Sequence, residues 1–254
     1  MVHSILLIGQ SNAAGRGFIS EAEPLDTCGG KLKVLRNGKW LGMYRPVNGD
    51  RPFSGTCFAE SFAKAYYTDN PEVEVGIIPC ADGGTSLDQW QPGEVLFDNA
   101  VNCAKLAMRT SCLVAVLWHQ GEADCPKDKY PLYSQKFKII VDTLRKELGI
   151  PNLPVITGGL GDFLPNFAPD EENLVNYDYI NQALIQFAQT EPHCAFASAK
   201  GLGSNPDNLH FNAKALDEFG LRYYEEYKKI KTPTEQYQTL NSDFDTKRTA
   251  MEQL

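Results

Sequence analysis

The chain has 254 residues, 43% hydrophobic and 22% charged, enough for one large α/β domain with its own core. A net charge of -8 with no basic stripe argues against a nucleic-acid partner. No run approaches the ~18 apolar residues that a spanning helix needs, so no membrane partner is expected. The seven cysteines (Cys28, Cys57, Cys80, Cys103, Cys112, Cys125 and Cys194) are odd in number and contain no C-x-x-C pair. That pattern fits reduced thiols rather than a disulfide framework, and it offers no zinc site. Residues 1–4 lack a basic region and the apolar run behind them is too short for a signal peptide, so a cytoplasmic location is expected.

A first strand is predicted over 4–8, apolar on both faces, running into Gly9-Gln10-Ser11-Asn12 at the start of a helix. The Gly-, Pro- and Asn-rich stretch 20–56 reads as a long surface excursion. A helix over 57–68 leads to a second strand at 73–78, followed by "PCADGGTSLDQW" (79–90). A helix over 95–110 precedes a third strand at 113–118, which opens into "HQGEAD" (119–124). The next helix, 132–148, meets a stop signal in Gly149 and Pro151 before a fourth strand at 154–157. A second long loop, 158–173, carries aromatics and prolines. Then come a helix over 175–190, a fifth strand at 194–198, the loop "GLGSNPDNLHF" (201–211) and a last helix over 213–229. The polar stretch 231–254 reads as a C-terminal extension of a domain spanning 1–230. This alternation predicts a three-layer α/β/α sandwich around a central five-stranded parallel sheet.

Ligands of such a sheet bind beyond the carboxyl ends of its strands. Four loops deliver Ser11, Gly83-Gly84, Gln120-Gly121-Glu122 and Asp207-x-x-His210 to that one edge. Together they form a candidate acyl-transfer site. A serine hydroxyl is a weak nucleophile until a base takes its proton, which His210 can do. Asp207, three residues earlier, can hold the imidazole tautomer and stabilise the imidazolium. The oxyanion needs fixed donors: the Ser11 N–H at a helix start, an N–H of Gly83 or Gly84, and the Gln120 amide. Each residue has a plainer reading alone. Ser11 is a helix cap, Gly83-Gly84 a turn, Asp207 part of the turn after Pro206, and His210 a packed histidine. Their joint arrival on one edge favours chemistry. Asn12, Arg16 and Glu122 are supporting candidates, with Glu122 a partner for the Arg16 charge. Trp90 could stack on a sugar or pack in the core, His119 reads as a packed histidine, and Asp124 as a cap. "GQSNA" is not the Gly-x-Ser-x-Gly elbow of α/β-hydrolases.

These blocks resemble the SGNH hydrolase superfamily, and within it the sialate O-acetylesterase-like group that includes the acetylxylan esterases of carbohydrate esterase family six. The group's first motif is similar to "GQSNMAGRG", here "GQSNAAGRG" with Ala13 in place of the usual methionine. "GGTSLDQW", "WHQGEAD" and the Asp-x-x-His of 207–210 match its other blocks, and the likeness runs over about 4–227. The resemblance implies a flavodoxin-like fold and a carbohydrate O-acetylesterase with Ser11 as nucleophile, His210 as base and Asp207 as its carboxylate. Oxyanion donors are implied at Ser11, Gly83 or Gly84, and Gln120. The implied partner is a small acetylated saccharide such as an acetylated xylo-oligosaccharide, with no metal or organic cofactor. A sialic acid O-acetylesterase and a carbohydrate-binding homologue without turnover are the alternatives, and a homo-oligomer is a further expectation.

Overall fold

The computed structural model describes residues 1–167 and 174–230. In chain order, its main elements begin with β1 (Val2–Gly9), α1 (Ser11–Ala14), β2 (Leu32–Arg36), β3 (Lys39–Gly42), α2 (Ala59–Asp69) and β4 (Glu74–Pro79). They continue with α3 (Val95–Ala107), β5 (Ser111–His119), α4 (Tyr133–Leu148), β6 (Val155–Gly158), α5 (Tyr177–Thr190), β7 (Cys194–Ala197) and α6 (Ala213–Ile230). The sheet order is β3-β2-β4-β1-β5-β6-β7. The five strands read from the sequence are contiguous and run to one edge of the sheet, and their order, β4-β1-β5-β6-β7, is the flavodoxin-type 2-1-3-4-5 arrangement.

The central strands are continuous apolar runs because helices cover both faces. Every residue of β1 and of β5 is buried. Ile5, Leu6, Leu7 and Ile8 are each at most 2% exposed, and burying each such side chain contributes about 1.5–3 kcal/mol. Right-handed crossovers send the helices to opposite sides. Accordingly α2 packs on α6, while α3, α4 and α5 form a row of neighbours. Helix α4 stops where the sequence says: Gly149 takes φ +68 and its N–H returns to the Lys146 carbonyl.

The expected five strands are seven. The Gly-, Pro- and Asn-rich excursion folds into the β2–β3 hairpin, and β3 runs antiparallel to β2. Asn37 and Gly38, both at positive φ, close a two-residue turn between Arg36 and Lys39. β3 lies at the sheet edge and is largely exposed, so it shows no hydrophobic face to read. Helix α1 is only one turn of four residues. The extension 231–254 and part of the second long loop, 168–173, lie outside the described residues. Among the described residues, no helix is long and apolar enough to cross a membrane.

Strands β1 and β5 converge at their carboxyl ends, the point where the strand order reverses. Gly9 lies opposite His119 with φ +127, and a Cβ there would stand 2.0 Å from the His119 carbonyl oxygen. Gly9→Ala should therefore lower the unfolding free energy by about 2 kcal/mol or more, through backbone overlap and strain. Urea denaturation measures this, and an unchanged midpoint would contradict the packing described.

Candidate active site

The chain leaves β1 at Gly9 and is stapled to β5 before it turns. The Gln10 N–H donates to the His119 carbonyl at 2.8 Å, and Gln10 Oε1 accepts the N–H groups of Gly121 (3.3 Å) and Ala123 (3.4 Å). Ser11 and Asn12 are thereby lifted over the sheet edge as the first residues of α1. The Ser11 N–H is one of the unpaired donors that open a helix. With one turn behind it, that N–H acts as a single donor rather than as the tip of a large dipole.

The loop after β7 brings the second half of the site. Asp207 Oδ1 accepts the N–H groups of Leu209 (2.9 Å) and His210 (3.0 Å), which bends the loop around its carboxylate. Oδ2 lies 2.7 Å from His210 Nδ1. An ionised carboxylate can only accept, so Nδ1 carries the hydrogen and Nε2 keeps a free lone pair. That lone pair faces the Ser11 hydroxyl at 3.0 Å. Burial acts to raise the Asp207 carboxyl, but the His210 and Leu209 N–H groups and the imidazole outweigh it and hold it below its ordinary value. Ser11 is 8% exposed, so the hydroxyl is sheltered.

Asn12 holds the histidine loop from both sides. Its Nδ2 donates to the Leu209 carbonyl at 3.2 Å and its Oδ1 accepts the Phe211 N–H at 3.1 Å, bracketing His210. The same Nδ2 donates to Glu122 Oε1 at 2.6 Å. Glu122 therefore serves Asn12 and not Arg16, which corrects the expected pairing. Arg16 instead makes a two-pronged bond to Asp50, at 2.7 and 3.0 Å, with both side chains almost wholly buried. Asp50 also accepts the Ser54 hydroxyl (2.8 Å) and the Gly83 N–H (2.9 Å). Gly83 leaves room for this: a Cβ would meet Arg16 Nη2 at 2.6 Å, with Ser11 Cβ 3.5 Å away.

Two further sequence expectations change. Gln120 is wholly buried, and its Nε2 donates to the Thr85 carbonyl (3.0 Å) and Asp124 Oδ2 (2.6 Å). Both amide hydrogens are spent, so it is a strut between the second and third loops and not an oxyanion donor. Trp90 is also wholly buried, edge-on to Trp118 at 5.6 Å, with its Nε1–H on the Thr85 hydroxyl. It is a core residue and not a sugar platform. His119 packs among Phe58, Phe211 and Phe219, and burial pulls its pKa down. Asp124 accepts the Leu87 N–H at 2.8 Å, capping the turn that follows Ser86.

Sequence reasoning missed the loop 48–54. Asn48 exchanges two hydrogen bonds with the Ala81 backbone, and Arg51 reaches Asp82 Oδ1 (2.8 Å) and the Gly83 carbonyl (3.1 Å). The available signal was Arg16 itself: a buried guanidinium needs a carboxylate, and the loop "NGDRPFSG" supplies one.

A hydroxyl, an imidazole and a carboxylate in one hydrogen-bonded line, at the switch point of a doubly wound sheet, define an SGNH-type hydrolase fold. The chain belongs to the family described as carbohydrate esterase, sialic acid-specific acetylesterase, whose model matches residues 2–229. A probable carbohydrate esterase of Arabidopsis thaliana is 26% identical over 247 residues, covering 87% of this chain and 88% of the relative. The crystal structure of the Arabidopsis protein matches with a TM-score of 0.78 at 23% identity, over 89% of this chain and 98% of that one. The structure of NanS matches with a TM-score of 0.69 at 16% identity, over 90% and 97% of the two chains. A carbohydrate acetylesterase from Xanthomonas citri matches at 0.65 and 17% identity, over 90% of this chain and 56% of that one. At these identities the solved structures speak to the fold.

Arg16 holds Asp50 in its charged form: burial acts to raise the Asp50 carboxyl, but Arg16, Ser54 and the Gly83 N–H together draw it below its ordinary value. A depressed carboxyl stabilises the fold above its unfolded pKa of about 3.9 and loses that contribution as pH falls through the lower folded value. Asp50→Asn should therefore flatten the stability curve below about pH 4 and cost about 3 kcal/mol at neutral pH, because Arg16 is left buried without its counter-charge. Denaturant midpoints measured from pH 3 to pH 7 test this, and a variant parallel to wild type across that range would refute it.

Proposed function

We propose that the protein is a serine-dependent carbohydrate O-acetylesterase that removes acetyl groups from the hydroxyls of a small neutral saccharide, such as an acetylated xylo-oligosaccharide. The observation that carries this is the line from Asp207 Oδ2 through the His210 ring to Ser11 Oγ, at 2.7 and 3.0 Å. Membership of a carbohydrate esterase family supports the ester and the sugar.

In this reading, Ser11 Oγ attacks the acetyl carbonyl carbon while His210 Nε2 takes the hydroxyl proton. The carbonyl electrons move onto oxygen, and the Ser11 N–H donates a hydrogen bond to the oxyanion that forms. Gly83 has committed its N–H to Asp50, so we assign the second donor to Gly84. The C–O bond to the sugar breaks, and imidazolium Nε2–H protonates the departing alkoxide. Asp207, still ionised, balances the imidazolium throughout. Water then enters, gives its proton to His210 and attacks the acetyl-serine. The tetrahedral intermediate collapses, the proton returns to Ser11 Oγ, and acetate leaves. No step calls for a metal or an organic cofactor.

The family description names sialic acid, which makes an O-acetylated sialate the second substrate to consider. The mouth favours a neutral sugar. The cations that reach the Gly83 backbone are both committed, Arg16 to Asp50 and Arg51 to Asp82, and the Asp207 carboxylate is partly exposed. A carboxylated substrate would find these guanidiniums already neutralised. The saccharide and a cytoplasmic location remain parts of this proposal.

Ser11→Ala should lower kcat for acetate release from acetylated xylo-oligosaccharides by at least about 10³-fold, and Asp207→Asn by about 10⁴-fold through the wrong imidazole tautomer. Acetate release by both variants, alongside thermal midpoints to confirm folding, measures this. Folded variants with wild-type rates would remove Ser11 from the mechanism. A wild type that releases acetate from O-acetyl sialic acid but not from neutral sugars would replace the substrate.

A further inference from the structure

We propose that Phe53 is the sugar platform of this site, the surface on which the pyranose lies while its acetyl group reaches Ser11. This rests on the reading of the protein as a sugar esterase and specifies how that sugar is held. The ring sits at the tip of the loop 48–54 and is 70% exposed; among the described residues no aromatic side chain is more open. Exposed phenylalanines are common on protein surfaces and by themselves need no explanation. What sets this one apart is that the loop beneath it is fixed at every turn, and fixed to the site.

Asp50 binds Arg16 and the Gly83 N–H, Arg51 binds Asp82 and the Gly83 carbonyl, and Ser54 binds Asp50. The loop also closes on itself, the Arg51 N–H donating to the Ser54 hydroxyl and the Ser54 N–H to the Arg51 carbonyl, each at 3.1 Å. Phe53 is thus an apolar ring held outward by buried charges. One side of it lies against the Arg16 guanidinium, 5.3 Å from ring centroid to Cζ. Arg16 in turn touches the position of Gly83, which abuts Ser11 Cβ. Two residues, Arg16 and Gly83, therefore stand between the ring and the nucleophile, and the ring's other side is in solvent.

The chemistry of that open side suits a sugar. An aromatic face carries partial negative charge, and the C–H bonds along one face of a pyranose carry partial positive charge. The guanidinium behind the ring does not compete for the open side. On the same loop, two residues before Phe53, Arg51 is partly exposed and paired with the partly exposed Asp82, polar groups of the kind that bind sugar hydroxyls. A preorganised ring contributes affinity because no side chain has to be ordered on binding.

The test compares Phe53→Ala and Phe53→Trp with wild type on an acetylated xylo-oligosaccharide and on vinyl acetate, which has no ring to stack. Phe53→Ala should lower the ratio of kcat/KM on the sugar to kcat/KM on vinyl acetate by about tenfold, carried by KM. Phe53→Trp should hold or raise the ratio. A purely structural role would lower both activities in step and leave the ratio unchanged, which overturns the proposal. An unchanged KM for the sugar in Phe53→Ala also overturns it while leaving the esterase reading intact. A wild type that cleaves vinyl acetate but no acetylated sugar overturns both.

Discussion

The site depends on one backbone junction, where β1 and β5 meet at their carboxyl ends. Gly9 lies so close to His119 that no side chain fits between them, and Gln10 staples the next peptide to β5 through its N–H and its side chain. This closeness sets where α1 starts and therefore where Ser11 and Asn12 stand. The histidine loop arrives from β7 at the far side of the sheet, but Asn12 brackets it on both flanks of His210. Ser11 and His210, 199 residues apart in sequence, thus owe their alignment to the residue next to the serine.

Two sets of buried polar groups frame the reacting atoms. On one side Asn12 leans on Glu122, and on the other Arg16 and Asp50 hold the Gly83 backbone beside Ser11. A buried ion pair is weak evidence for net stability, because desolvating both charges offsets much of their attraction. Its value here is geometric. Arg16 and Asp50 each have several fixed partners, so neither can shift without leaving a charge unpaired. Part of the long excursion after α1 is thereby tied to the Gly83 backbone beside Ser11.

Much of this was legible in the sequence. The five parallel strands β4, β1, β5, β6 and β7 announce themselves because burial leaves continuous apolar runs, and Gly149 marks the end of α4 through its left-handed backbone. Asp207 and His210 are readable together because three residues suffice to turn a carboxylate onto an imidazole. Partners separated by long stretches were not legible. Arg16 advertises the need for a carboxylate without saying which, and the choice between Glu122 and Asp50 depends on how the excursion folds. Gln120 and Trp90 carry groups that suit either a ligand or a buried hydrogen bond, and only Thr85 and Asp124 decide between these. The β2–β3 hairpin had a readable turn in Asn37-Gly38, but its exposed edge strand lacked the alternation that would have confirmed it.

The central claim is that Ser11 is a nucleophile activated by His210, and not merely a residue that opens a helix. Intact-mass and peptide mapping after treatment with an organophosphonate ester test it most directly, since such reagents phosphonylate activated serines and spare ordinary ones. The account predicts one adduct per chain, on the peptide carrying Ser11, and strong suppression of labelling in a folded His210→Ala variant. Labelling at another serine, or equal labelling of Ser11 with and without His210, would contradict it.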